Sequence, residues 1–424
     1  MVAKIKIKKN IVILGAGFAG LHVAQTLEKK LNNSKYQIVL VDKKNIHLYT
    51  PDLYEIATAF NKELSKECLI SLKSTVATPI KQLIDEEKTH FIQDEVLNIQ
   101  AKTKTIKLKK SGKLAYEILV VCMGSSPNYF NIAGLEEHSR SVKTIKQALA
   151  INCDLDMLFQ NISETGKKKT VNIVIGGGGA TGVEVAGEMV GCGKKLCGKY
   201  KLKNLKVNIK LVEASQGLAA MNEKGTKIVK NALEKQGVEV LSGFKITSAE
   251  AGKLTVQDYK GKTRSQNADF LIWTGGVMVN SVVANTLGNQ ECRGAIEVNE
   301  KLQSVNHKNI FAGGDNAFFQ DHSTGEKAPM LAQIAVAEGS VIANNIVRFI
   351  KGESLNRYHP KSPAYLLPVG SICILQIYGR VFANPAFWIL KRLVAFRYFT
   401  SIMSWPKALK KTWHGAEIFL QNDL

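Results

Sequence analysis

The 424-residue sequence predicts an α/β fold in which two parallel-sheet units of one plan are followed by a helical C-terminal region. Three observations carry this reading. A glycine-rich turn joins a strand pattern to a helix pattern twice, at 15–20 and at 177–182. Each turn is followed by a second strand that ends in an acid, Asp42 in one copy and Glu213 in the other. Each copy closes on an apolar strand that runs into glycine, at 118–124 and 270–276. Two βαβ units so punctuated read as two Rossmann-like dinucleotide-binding domains.

Taken in order, the first strand pattern covers Asn10–Leu14. The turn Gly15-Ala16-Gly17-Phe18-Ala19-Gly20 follows, then helical spacing over Leu21–Leu31 and a strand over Gln37–Val41. In the second copy the strand is Val171–Ile175 and the turn is Gly177-Gly178-Gly179-Ala180-Thr181-Gly182. A helix to about Lys195 and a strand over Val207–Val212 come next. The chemistry asks for these residue types. Glycines let the backbone turn tightly beside a pyrophosphate, and a helix N-terminus offers it N–H groups and positive dipole. The strand-end acid accepts hydrogen bonds from a ribose diol. A third region returns to the first theme. Asn309–Asp315 is a strand ending in an acid, and Ala332–Ile350 has helical periodicity stopping before Gly352.

Composition excludes other classes. With 45% hydrophobic and 22% charged residues, the chain is neither disordered, collagen-like nor a coiled coil. A formal net charge of +21 points to an anionic partner: a cofactor, a membrane surface or nucleic acid. Seven cysteines, irregularly spaced and without CxxC, argue against a disulfide framework and for a reducing compartment. Cys192 and Cys197 fall in a predicted helix and read as structural. The eight histidines form no HxH or HExxH, so no metal site is expected. The basic stretch Met1–Lys9 precedes an apolar run too short for a signal peptide, and no stretch suits a transmembrane helix.

With these motifs in place, the chain resembles the two-dinucleotide flavoprotein reductases, and among them the type II NADH:quinone oxidoreductases. The residues that carry the likeness are His47–Ala57, Gly177–Glu188 with its Gly-Val-Glu-x-Ala-Gly-Glu segment, Phe311–Asp315 and Ala332-Gln333-Ile334-Ala335. The resemblance implies FAD in the first fold and NADH in the second. It carries FAD contacts onto Gly15, Gly17, Gly20, Asp42, Gly124 and Asp315, with Phe18, Ala19, Lys43, Val96 and Ala332 as further cofactor-binding candidates. In the second fold the candidates are Gly177, Gly179, Ala180, Thr181, Gly182, Glu184, Glu213 and Gly276. It gives catalytic roles to Glu184, beside the nicotinamide, and to Gln333, where flavin meets quinone. Four positions depart from the family pattern: Asp52 for Leu, Ala180 for Pro, Cys122-Met123 for Ala-Thr and Ala337 for a quinone-site Gln. His47 reads as a hydrogen-bonded packing residue.

The implied domain limits are 1–130 with 290–368 for FAD, 131–289 for NADH, and 369–424 for a C-terminal region. That region has two readings. In one, Pro385–Trp405 lies along a membrane, with Phe387, Trp388, Leu390, Leu393, Phe396, Tyr398, Phe399 and Trp405 toward lipid. Lys391, Arg392, Arg397, Lys407, Lys410 and Lys411 then meet anionic headgroups. In the other, the same residues pack on the body or on a second copy in a homodimer. The expected activity is hydride transfer from NADH to FAD and two electrons onward to a membrane quinone, without proton pumping, at the cytoplasmic face. A sulfide:quinone oxidoreductase using Cys122 and Cys373, or another NAD(P)H-dependent flavoprotein reductase on the same scaffold, is the rival. A nucleic-acid-binding flavoprotein is remote, since no recognition motif accompanies the charge.

Overall fold

A computed structural model describes residues 8–31, 35–63, 65–321, 325, 327–360 and 364–423. The basic N-terminal stretch lies outside them up to residue 7. Along the chain the main elements are β1 (Lys9–Leu14), α1 (Phe18–Lys30), β2 (Tyr36–Asp42), α2 (Leu53–Thr58), α3 (Lys66–Val76) and β3 (Thr89–Gln93). Next come β4 (Ile118–Val121), β5 (Arg140–Ser141), α4 (Ile145–Thr165), β6 (Thr170–Gly176), α5 (Ala180–Lys199), β7 (Lys206–Glu213), α6 (Glu223–Lys235), β8 (Val238–Ser242) and β9 (Phe270–Trp273). The chain ends through β10 (Ile310–Ala312), α7 (Ala332–Lys351), α8 (Phe387–Ile402) and α9 (Trp405–Asp423).

These elements form two compact units. One is Met1–Leu48, Thr78–Ser126 and Met278–Pro363; the other is Tyr49–Ala77, Pro127–Val277 and Ala364–Leu424. The first unit holds a parallel sheet of order β10-β4-β1-β2-β3. Ile11, Val12, Ile13 and Leu14 of β1 are all fully buried, as expected where both faces of a parallel sheet are covered. Gly339 of α7 packs against the Ala19 backbone, where a side chain would collide with the Ala19 carbonyl, so α1 and α7 approach closely. A three-stranded antiparallel sheet, Val96–Gln100, Thr105–Leu108 and Gly112–Ala115, adds to this unit.

The second unit repeats the plan with a parallel sheet of order β5-β9-β6-β7-β8. In both units the first helix follows its glycine turn directly. α1 begins at Phe18 and α5 at Ala180, ahead of the apolar periodicity, because the glycine turns feed straight into helix. α5 also runs on to Lys199, past the expected end near Lys195, carrying Cys192 buried and Cys197 half-buried. The C-terminal segment differs from the sequence reading. It opens with a three-stranded antiparallel sheet, Tyr365–Val369, Ile372–Ile377 and Arg380–Asn384. The single helical segment expected over Pro385–Trp405 is a helix that stops at Ile402. Met403 turns extended there, and Pro406 sits in the first turn of a second helix, α9.

Candidate dinucleotide sites and a buried charge cluster

In the first unit the turn between β1 and α1 is built for close approach. Gly15 adopts a φ of +96°, and a side chain there would strike the Cys122 carbonyl. A Cβ on Gly17 would meet nothing within 4 Å, so space stands open at the start of α1. Gly17 caps that helix without a side-chain hydrogen bond, leaving the helix N-terminus to an anion. Asp42, at the end of β2, accepts the Ala16 N–H at 2.8 Å through Oδ2 and the Lys44 N–H at 2.8 Å through Oδ1. Burial raises the Asp42 carboxyl pKa against these bonds. His47 meets the Ala16 carbonyl at 2.8 Å through Nδ1 and packs edge-on to Phe18.

The loops after β4 and β10 meet beside this turn. Gly124 donates to Asn316 Oδ1 at 3.1 Å, and Asn316 returns a bond to the Gly124 carbonyl at 2.9 Å. Ser125 donates to Asp315. Behind them Glu338, from α7, accepts the Gly314 N–H at 2.6 Å; burial pushes its carboxyl up to about 8. Ala332 and Gln333 open α7, whose N-terminus has no side-chain cap. Val96 is buried in the core, and Lys43 follows directly on β2. An open cradle at an uncapped helix, with an acid at the next strand end, fits FAD.

The second unit makes the same arrangement. Gly177 has a φ of +105°, and the backbone of Gly275 lies where a side chain would go. Gly179 caps α5 without a side chain and has open space around it. Glu213 accepts the Gly178 N–H at 2.6 Å and the Ser215 N–H at 2.7 Å. Thr274 donates to the Gly176 and Gly177 carbonyls at 3.1 and 2.9 Å, joining the β6 and β9 exits. Ala180, Thr181 and Gly182 form the first turn of α5, and Gly276 ends the β9 exit. These residues fit NADH.

Glu184, in the next turn of α5, leads into a cluster the sequence did not foretell. Burial pushes its carboxyl up to about 8, opposed by Lys391 and reinforced by Asp52, Glu55 and Glu188. Lys391 lies 2.7 Å from Glu55 and 3.3 Å from Asp52, and also donates to the Tyr54 hydroxyl. Arg392 reaches Glu55 at 2.9 Å. Burial works against the Glu55 charge, but Lys391 and Arg392 outweigh it and hold its pKa low; burial leaves that of Asp52 raised. This corrects the placing of Phe399 and Tyr398 toward lipid and of Lys391 at headgroups. Lys391 is only 8% exposed, Phe399 3%, and Tyr49 stacks on Tyr398 at 5.2 Å. Lys411 likewise turns inward, donating to the Ser74 and Ala77 carbonyls at the end of α3. Half-buried Phe387, Trp388, Leu390 and Phe396 are not free faces either, whereas Ile389, Leu393, Trp405, Leu409 and Trp413 stand exposed. Asn316 and Glu338 escaped the sequence reading as functional positions, and Lys391 was expected at lipid headgroups rather than in a buried cluster.

Among the described residues no group of His, Cys, Asp and Glu could hold a metal, and no helix is long and apolar enough to cross a membrane. All seven cysteines are unpaired thiols. Burial shifts the Cys122 thiol strongly upward, and the Cys373 thiol to about 12.

Two phosphate cradles of one design, each with its strand-end acid, define a two-dinucleotide α/β protein. The profile of the pyridine nucleotide-disulphide oxidoreductases matches residues 9–339, and the chain belongs to that family. It is similar to a type II NADH:quinone oxidoreductase of Staphylococcus aureus, 28% identical over 385 residues that cover 89% of this chain and 91% of the relative. The solved structure of NDH2 from Plasmodium falciparum in complex with NADH superposes with a TM-score of 0.83 at 20% identity over 98% of each chain. The sulfide:quinone oxidoreductase of Aquifex aeolicus has a TM-score of 0.72 at 18% identity, covering 98% of this chain and 91% of that one. The structural likenesses establish the fold.

Proposed function

We propose that this chain is an FAD-dependent NADH:quinone oxidoreductase that passes two electrons from NADH to a membrane quinone without pumping protons. The observation that carries this reading is the doubled cradle, supported by near full-length similarity to the Staphylococcus aureus enzyme. Bound FAD supplies the chemistry, accepting hydride and releasing electrons. The chain's own residues bind and orient. In the first fold, Gly15, Gly17 and Gly20 with Phe18 and Ala19 admit the pyrophosphate, and Asp42 takes a ribose. Gly124, Asp315, Ala332, Gln333, Lys43 and Val96 complete this set. Gly177, Gly179, Ala180, Thr181, Gly182 and Gly276 do the same for NADH, with Glu213 on the ribose diol. Glu213 also disfavours a 2′-phosphate, so NADPH should be the poorer donor. Glu184, which burial keeps protonated near neutrality, holds a proton for quinol formation, and Gln333 serves at the quinone.

We keep the sequence-derived limits for these functions: 1–130 with 290–368 for FAD, 131–289 for NADH and 369–424 for attachment. The exposed apolar side chains of α8 and α9, among Arg397, Lys407 and Lys410, support peripheral attachment to an anionic membrane at the cytoplasmic face. A homodimer through the same region is the alternative. The sulfide-oxidising reading is weaker, because Cys122 and Cys373 are buried with raised thiol pKa values, unsuited to nucleophilic attack. The test is anaerobic stopped-flow: NADH should bleach the flavin and a quinone should restore it, whereas bleaching by sulfide and not by NADH overturns the proposal.

A further inference from the structure

The segment 128–131 is strained, pinned and aromatic. Phe130 and Asn131 adopt φ of +51° and +54°, a left-handed conformation that asparagine tolerates but that is costly for the phenylalanine. Such strain persists only where the surroundings impose it, and here they do. The Asn128 side chain accepts the Phe130 N–H at 2.8 Å. The Asn128 N–H donates to the Gly276 carbonyl at 3.0 Å, and the Trp273 indole N–H donates to the Asn128 carbonyl at 2.8 Å. The result is a Phe130 ring left 57% exposed, set edge-on against buried Trp273 with centroids 6.4 Å apart. A Cβ on Gly276 would come within 3.0 Å of the ring, so only glycine lets the ring seat this closely on the backbone there.

The position of that ring beside the sheet determines what it faces. β6 carries the glycine turn for the pyrophosphate, and β7, on one side of it, carries Glu213 for the adenosine ribose. β9 lies on the other side of β6, and its exit, Thr274–Gly276, is where the nicotinamide half of a dinucleotide extends. We infer that Phe130 is a contact residue for the nicotinamide half, offering it the exposed face of a ring seated on Gly276. This rests on the NADH reading of the second unit and deepens it. Ring contacts of this kind are worth about three- to tenfold in affinity, and the strained backbone keeps the ring placed before the ligand arrives.

The test uses FAD-loaded protein with Phe130→Ala, Phe130→Leu and Phe130→Tyr. Binding of NAD⁺ and of ADP-ribose, which lacks the nicotinamide ring, is measured alongside NADH-driven flavin bleaching. In Phe130→Ala the NAD⁺ Kd and the NADH concentration for half-maximal bleaching should rise about three- to tenfold, while the ADP-ribose Kd moves less than about twofold. Phe130→Tyr should restore both, and Phe130→Leu, which keeps bulk without the π face, should fall between. Unchanged NAD⁺ binding in a variant with normal flavin content and melting temperature overturns the inference, as does equal weakening of ADP-ribose. If NADH does not bleach the wild-type flavin, the proposed activity fails. The comparison of NAD⁺ with ADP-ribose then still decides whether Phe130 touches the nicotinamide.

Discussion

The two nucleotide folds share a turn but are stabilised differently. In both, the acid ending the second strand accepts an N–H from the second residue of the glycine turn: Asp42 from Ala16, Glu213 from Gly178. In both, the third glycine, Gly20 or Gly182, sits so close to the first that a side chain would collide with its carbonyl. The back of the first cradle is then closed by one buried carboxyl, Glu338, which holds the Gly314 N–H and whose pKa burial raises. The second unit instead sets buried Lys391 and half-buried Arg392 beside Asp52 and Glu55, with Glu184 near Lys391. A turn that must receive a pyrophosphate has few solutions, whereas the support behind it is free to vary.

Four experiments would break or sharpen that contrast. The largest effect belongs to the ion cluster. Lys391→Ala should lower the stability of the second unit by about 3–5 kcal/mol, because Glu55 and Asp52 are left buried with too little counter-charge. Calorimetry should show one transition moved down and the other unmoved, and a single coincident shift would deny the units separate support. Cutting the chain after Val381 should therefore unfold the second unit rather than merely release it from membranes.

Next come the paired glycines. Gly20→Ala and Gly182→Ala should each cost about 1–3 kcal/mol by overpacking. The first should show as lost flavin content. The second should leave flavin in place but weaken NADH bleaching. If either variant loses both functions equally, the two cradles are not independent.

The third experiment turns on pH. The Glu184 and Glu338 carboxyls both rise from an ordinary 4.5 to about 8 in the folded chain. Their contribution to stability is present in full below about 4.5 and is lost as pH climbs to about 8, since the unfolded chain ionises first. Glu338→Gln, which preserves an acceptor for Gly314, should flatten the decline of flavin retention over that window. Glu184→Gln should flatten the decline in melting temperature. Unaltered pH slopes would mean that both carboxyls are ionised when folded.

The last effect, read in membrane binding rather than in folding stability, concerns α8. Ile389→Glu with Leu393→Glu places acids on its exposed face, away from the Lys391 cluster. Liposome binding should weaken, by about 1–3 kcal/mol for each apolar side chain withdrawn from the interface, with melting and bleaching unchanged. Undiminished binding to anionic liposomes would exclude this face as the anchor.

Much of this architecture was legible because it obeys short-range rules. Ile11–Leu14 and Val171–Ile175 are apolar runs ended by glycine, and both became the central strands of parallel sheets. The turn residues could be read for the same reason, since their function depends on neighbours within a few positions. Three features were not legible. Lys391 looked like a headgroup contact because its sequence neighbours are aromatic, and nothing local announces partners at Asp52 and Glu55. Asp52, noted only as a departure, acquires its meaning from that lysine. The break at Met403 was hidden because Pro406 is tolerated in a helix's first turn, so it marks a beginning as readily as an end.

The charge cluster also imposes an order on biosynthesis. Lys391 and Glu55 are separated by 336 positions in the chain. A ribosome adding about 5–20 residues per second takes roughly 15–70 s to cover that interval. Throughout it Asp52, Glu55 and the aromatic face of Tyr49 exist without the helix that covers them. The first unit is complete earlier, since its last strand and helix end by Lys351. The second unit therefore matures only as synthesis finishes, and the emerging chain presents chaperones with a half-built acidic, aromatic surface until its final helices arrive.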